Sequence, residues 1–303
     1  MTRHPMVCIS AALALASAWS VGPADAALRQ VAIAASPAVG GGADGDLAYL
    51  QTPTVLVVIR QDSSRHEYAV PTGCVPGALT NDVAALTCPA GPDRPRAPTI
   101  LRLSDGRLKP VAVPPEIGDL GVVSVGAHWL LGDASFYTDA VGHFSEGIVA
   151  IDWTNGGVLE LGRDDPLGVR SYADLDSATL RRRLCAPITR ARYGGGASDR
   201  TRYAVVSKIG PWVLQSASEA QWLQRCGHPE RQRFGRNASA VLGVDRVAYL
   251  HGASVRVRDL RHGTVRSIPW PTRSRPVIAL AGRRLIVSEP TPDGKYVIYG
   301  ELR

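Results

Sequence analysis

The sequence predicts an all-β fold: six consecutive units of four short strands, closed into a β-propeller. Three observations lead there. The 303 residues are 45% hydrophobic and 20% charged, which is too apolar and too moderately charged for a disordered chain. They include 31 Gly and 22 Pro without a collagen-like period, so apolar stretches are cut repeatedly by turn residues. Finally, the stretches recur as one pattern: a small-residue strand, a tight turn, an apolar strand, a loop, a second apolar strand, a turn and a short last strand.

Residues 239–270 show the pattern most clearly. Ala240–Gly243 is the first strand, Arg246–Leu250 the second and Val255–Leu260 the third, and Val265–Ile268 follows the His262-Gly263 turn. Residues 44–71 repeat it with Leu47–Leu50, Val55–Ile59 and Glu67–Pro71. Residues 78–114 supply Val83–Leu86, Thr99–Leu103, a Ser104-Asp105-Gly106 turn and a last strand expected at Val111–Pro114. Residues 121–162 supply Val122–Val125, Trp129–Leu131 and Ile148–Trp153, with Asn155-Gly156 turning into Val158–Leu161; residues 203–234 and 277–303 complete the set. Aligning the second strands places Leu47, Val83, Trp129, Trp212, Val247 and Leu285 in register, at spacings of 36, 46, 83, 35 and 38. Four of these five approach the 40–50 residues or so of a four-stranded blade. The long spacing marks an insertion at about 163–199, expected to be partly helical over Tyr172–Leu184 with Ser171 or Asp174 as N-cap.

Ring closure adds a further expectation. The last unit, Val277–Leu280, Leu285–Ser288 and Tyr296–Leu302, lacks a fourth strand. Leu28–Ala34 is a spare apolar strand at the other end of the chain. It is expected to complete the last blade and cover its edge.

Residues 1–26 read as a secretory signal peptide, with Arg3 and His4, an apolar run over Val7–Val21 and an Ala24-Asp25-Ala26 cleavage site. That run is too short to span a bilayer. A single domain over 27–303, secreted or periplasmic, is therefore expected, with no membrane span after cleavage. Four cysteines remain in that span: Cys74, Cys88, Cys185 and Cys226. An even number in an oxidising compartment implies two disulfides, with three possible connectivities. Cys74–Cys88 and Cys185–Cys226 are preferred because each pair falls within one repeat. With no C-x-x-C and no His at ligand spacing, metal binding by these four is not expected.

The segments Asp46-Leu47-Ala48-Tyr49 and Asp245-Arg246-Val247-Ala248-Tyr249, each followed by an apolar strand and a polar turn, resemble blades of TolB-type and WD-type propellers. The resemblance covers nearly all of 28–303 outside the insertion and implies a bacterial secreted repeat protein. The Ser-Pro-Asp-Gly turn of TolB-type blades is absent, and no blade ends in Trp-Asp. A likeness of this kind speaks to fold and not to chemistry.

Catalytic motifs are missing: no G-x-S-x-G, no H-E-x-x-H, no phosphate-binding loop and no Asp box. No cofactor or resident metal is expected. Several residues remain candidates for binding. Asp44 and Asp46, in Gly40-Gly41-Gly42-Ala43-Asp44-Gly45-Asp46, suit either a loose calcium turn or the inner turn of the first blade, where Gly permits close approach at the axis. Asp164-Asp165 and the pair Asp174 and Asp176 suit an acid–base pair, a cation or a surface helix cap. His128 and His251 sit near second strands and are placed to face a central cavity, whereas the other His are dispersed. Arg181, Arg182 and Arg183, and the Arg-rich stretch 231–266, concentrate positive charge, part of a net +7. Aromatic residues are not interleaved with them, so sequence-specific nucleic-acid readout is not expected. The bases are nearly all Arg, the only Lys being Lys109, Lys208 and Lys295.

Two functional readings follow. One is a monomeric, exported, non-enzymatic binding or scaffolding module for a protein or carbohydrate ligand, presenting its loops. The other is a propeller lyase or hydrolase acting on a glycan or lactone at the central channel. Converging charged side chains in that channel would favour the enzyme; an apolar channel would favour the binder.

Overall fold

The computed structural model describes residues 28–301 apart from 92–94, 116, 138–143, 164–170, 173–203, 218–219, 229, 235–238 and 271–274. The expected signal peptide and Arg181, Arg182 and Arg183 lie outside the described residues.

The chain opens with β1 (Leu28–Ala34) and then builds six antiparallel blades. Blade 1 is β2 (Val39–Gly40), β3 (Leu47–Thr52), β4 (Val55–Ile59) and β5 (Arg65–Ala69). Blade 2 is β6 (Val75–Leu79), β7 (Val83–Cys88), β8 (Ala97–Arg102) and β9 (Leu108–Pro110). Blade 3 has longer strands, β10 (Ile117–Val125), β11 (Trp129–Tyr137), β12 (Phe144–Asp152) and β13 (Gly157–Arg163), with β14 (Ser171–Tyr172) as a short fifth strand. Blade 4 is β15 (Ala204–Ile209), β16 (Trp212–Ala217), β17 (Ala220–Arg225) and β18 (Arg231–Arg233). Blade 5 is β19 (Ala240–Leu242), β20 (Arg246–His251), β21 (Ser254–Asp259) and β22 (Val265–Pro269). Blade 6 is β23 (Val277–Ala281), β24 (Arg284–Pro290) and β25 (Tyr296–Glu301), completed by β1 in the order β1-β25-β24-β23.

The expected closure is therefore present. Leu28 pairs with Glu301 and Ala34 with Tyr296, and the register slips once between Gln30 and Ala32. Backbone pairing between the two ends of the chain removes the free edge of β25.

Burial explains why these sequences form a ring. A blade's middle strands are covered on both faces by neighbouring blades, so they read as continuous apolar runs instead of alternating ones. All six residues of β7 are buried, as are Leu56, Val57 and Val58 of β4. Outer strands face solvent and carry charge; β5 (RHEYA) and β18 (RQR) are mostly exposed. Apolar clusters fill the seams between blades: Leu50, Leu86 and Leu101 between blades 1 and 2, Leu130, Ile151 and Val83 between 2 and 3, and Leu280, Val255 and Val287 between 5 and 6.

Three expectations need correction. The last strand of blade 2 is Leu108–Pro110, not Val111–Pro114. The turn at Gly106 (φ 70°) closes so tightly that Arg102 N–H already donates to Arg107 C=O at 2.9 Å, and pairing resumes at Leu108. Val111 lies beyond the strand, buried in the seam with blade 3. The second strands are the six identified from the sequence, but the register of Val83 differs by one from that of blades 1, 5 and 6. Leu79 pairs with Ala84, Gly40 with Leu47, Leu242 with Val247 and Leu280 with Leu285. Val83 thus corresponds to Asp46, Arg246 and Arg284, not to Leu47, Val247 and Leu285. Lastly, Ser171 and Tyr172 pair with Leu159 and Val158 as strand β14, so neither begins a helix. The rest of the expected helix lies outside the described residues, among which no helix occurs.

Cys74 and Cys88 form a disulfide, as expected, tying the start of β6 to the end of β7. Cys226 is disulfide-bonded; Cys185, its expected partner, lies outside the described residues.

Candidate functional site: the central channel

The innermost strands β2, β6, β10, β15, β19 and β23 enclose one channel of about 660 Å³. Each of them turns back into its blade's second strand at the same mouth of the ring. There the turns are knit together: Asn81 N–H donates to the Asp44 carboxylate at 2.9 Å, Arg246 Nη1 to Arg283 C=O at 2.8 Å and Arg284 Nη2 to Gly45 C=O at 2.7 Å.

Blade 1 has the longest of these turns, the Gly40–Asp46 segment. It leans across the mouth. Gly282 N–H of blade 6 donates to Gly41 C=O at 3.1 Å, and Val244 N–H of blade 5 donates to Gly42 C=O at 3.0 Å. The glycines permit this. A Cβ on Gly40 would lie 2.1 Å from Leu280 O, and one on Gly42 would lie 2.4 Å from Ile209 Cδ1. The segment behaves as the close-approach turn of the first blade. Among the described residues no group of three or more His, Cys, Asp or Glu is placed to hold a metal ion.

Asp44 and Asp46 diverge within this turn. Asp44 is half-buried and lines the channel. Asp46 is buried away from it, accepting from Arg60 Nη1 at 2.7 Å and from Gln61 N–H at 2.9 Å. Arg60 also donates to Asn81 C=O of blade 2, so this buried carboxylate, satisfied as buried charges must be, ties blade 1 to blade 2. Asp245 repeats the role in blade 5: it is buried and paired with Arg283 of blade 6.

His128 is exposed in the β10–β11 turn beside Ala127, which lines the mouth; its carbonyl accepts from Trp153 N–H. His251 is exposed at the β20–β21 turn, on the opposite side of the ring, and is not a channel residue. Asp44 is thus the one residue among the expected binding positions that the described structure brings to the channel lining. Asp164, Asp165, Asp174, Asp176 and His143 lie outside the described residues. The tryptophans pack between strands: Trp270 meets Tyr299 edge-on at 5.6 Å, and Arg233 lies over Trp222 at 5.6 Å.

The lining is mostly apolar or small, with Val39, Val123, Val241 and Ala279 among its residues, and Thr80, Asn81 and Gln221 add uncharged polar groups. Two carboxylates reach it, Asp44 and Asp82, on adjacent blades. Sequence reasoning missed its one described cation, Lys208. By strand pairing Lys208 stands opposite Val213, where blade 1 places Gly40 and the other four blades place Leu79, Val125, Leu242 and Leu280. Each of those four is buried in an apolar seam. Lys208 is half-buried, and partial burial holds its ammonium below the ordinary lysine range. Its Nζ donates to Gly210 C=O at 3.0 Å. A lysine at a repeat position that holds Leu or Val in four other blades is visible in the sequence once the blades are aligned in the correct register.

The sequence matches no family model and no curated protein. Solved structures with similar backbones include the β-propeller domain of Myceliophteria thermophila Cps50 (Swd1), at 10% identity and TM-score 0.48 over 91% of this chain and 98% of that one. Apo AztD from Citrobacter koseri is similar at 12% identity and TM-score 0.45, over 84% and 80% of the two chains. A luciferin-regenerating enzyme is similar at 10% identity and TM-score 0.45, over 90% and 94%. What the chain shares with them is the ring of blades.

Proposed function

We propose that this protein is an exported, non-enzymatic binding module that holds a small ligand in its central channel. One observation carries the reading: the six inner strands enclose a 660 Å³ channel with a largely apolar lining. That volume lies within the roughly 300–1,000 Å³ of small-molecule sites, which combine apolar walls with few polar groups. Among the described residues no His or Arg lines the channel, and its charged lining residues are Asp44, Asp82 and Lys208. A lyase or hydrolase requires groups that exchange protons within hydrogen-bond reach. The Cys74–Cys88 disulfide and the leader-like residues 1–26 support export.

The test pairs the protein with a Val123→Trp variant. Val123 lines the channel at a register slip of β10 and is 36% exposed, so the indole fills channel space without displacing a buried side chain. A panel of small apolar compounds, read by thermal shift, is expected to raise the melting temperature of the wild type and not of the variant. Equal shifts in both proteins would place binding elsewhere. Turnover of lactones or glycans by the wild type, lost in Asp44→Asn or Asp82→Asn, would establish the enzyme instead.

A further inference from the structure

The following rests on the channel being a ligand site. We propose that its ligand carries a single carboxylate on an apolar body, and that Lys208 is the counter-ion. Lys208 stands where four of the other five blades place a buried Leu or Val, and its half-buried side chain lines the channel. No carboxylate of the described residues lies within ion-pair distance of it, and its one hydrogen bond to a described residue, Gly210 C=O, leaves donor capacity for an incoming anion. Partial burial lowers its proton affinity. Charge taken partly out of water without a partner is costly, and a bound carboxylate would supply that partner. Asp44 and Asp82 line the channel from blades 1 and 2, three and two blades away from Lys208 in blade 4. They disfavour a second negative charge on the ligand and so select a monoanion over a phosphate or a dicarboxylate. Val39, Val241 and Ala279 supply the apolar wall.

Octanoate is the probe, labelled at its carboxyl carbon and titrated by NMR, with octanol and octylamine as neutral and cationic counterparts of equal length. Saturable octanoate binding is expected, tighter than octanol and much tighter than octylamine. Replacing Lys208 by Met removes the charge at similar bulk and should weaken octanoate roughly tenfold or more, the worth of a charge-assisted contact, leaving octanol unchanged. Lys208→Arg should retain the preference for octanoate. Circular dichroism and denaturation confirm that each variant folds. If octanol and octanoate bind alike, or if Lys208→Met binds octanoate as the wild type does, the inference is overturned while the channel site stands. If neither probe binds the wild type, and the small-molecule panel also fails to shift it, the channel reading itself falls.

Discussion

Removing the Cys74–Cys88 disulfide tests how far blade 2 depends on a covalent staple. The bond joins residues 14 apart in sequence, at the start of β6 and the end of β7. Val75 pairs with Thr87 immediately inside it, so it clamps the hairpin at the end away from its turn. Closing a loop of about 15 residues in the unfolded chain is worth about 3 kcal/mol in the chain-entropy model. Both cysteines are almost fully buried among Val70, Leu86 and Leu101. A Cys74→Ala, Cys88→Ala double variant also loses two buried sulfur atoms, adding on the order of 1 kcal/mol. The expected total is about 4 kcal/mol. At roughly 2–4 °C per kcal/mol for a domain of this size, the melting temperature should fall by about 8–16 °C. Urea denaturation followed by circular dichroism measures the change directly, and an unaltered slope against urea shows that the same surface unfolds. Reducing the wild type should destabilise it further, because the Cys226 disulfide is lost as well. A variant whose midpoint matches the wild type's would refute the reasoning, because the staple would then constrain nothing that the apolar seam does not already hold.

Two other perturbations probe the ring. Gly40→Ala puts a methyl group 2.1 Å from Leu280 O and 2.9 Å from Ala281 N of blade 6; forcing those backbones apart should cost about 3 kcal/mol. Gly156→Ala is the control, since its φ of 81° carries conformational strain but nothing lies within 4 Å; the left-handed backbone there should cost about 1 kcal/mol. Equal denaturation midpoints for the two variants would contradict the close approach of blades 1 and 6. Deleting residues 28–34 strips β1 from β25 and uncovers Ile298 and the Leu280 cluster that Leu28 covers. The truncated protein should melt earlier and self-associate in gel filtration through its bared edge, and adding the peptide LRQVAIA should reverse both changes. Full stability without β1 would show that the ring closes by side-chain packing alone.

Much of the fold is legible because each blade buries two faces. Middle strands must then be apolar throughout, and outer strands, wet on one edge, are charged. The contrast between Val55–Ile59 and Arg65–Ala69 survives in the bare sequence, and Asn155-Gly156 marks a turn by its own conformational needs. Closure was legible for a related reason: Leu28–Ala34 is an apolar strand with no partner before the first repeat. The register of blades 1, 5 and 6 against Val83 was not. Arg246 and Arg284 begin their strands, and their polarity conceals that they stand where Val83 does. Their guanidinium groups reach across to Arg283 C=O and Gly45 C=O, contacts between blades that no local pattern encodes. Because the register was one residue out, Lys208 did not stand out against Leu79, Leu242 and Leu280.

Local periodicity and turn chemistry, properties of neighbouring residues, were enough to establish the number of blades, their strand content, the closing strand and the Cys74–Cys88 pairing within one repeat. The channel is of another kind. It is bounded by one strand from each of six blades, so residues as distant in sequence as Asp44 and Lys208 become lining residues of one space only after the ring closes. The sequence could nominate Asp44 and Asp46 together as one candidate turn. Tertiary structure separated them, because two residues along the chain is enough to turn one carboxylate to the channel and bury the other against Arg60.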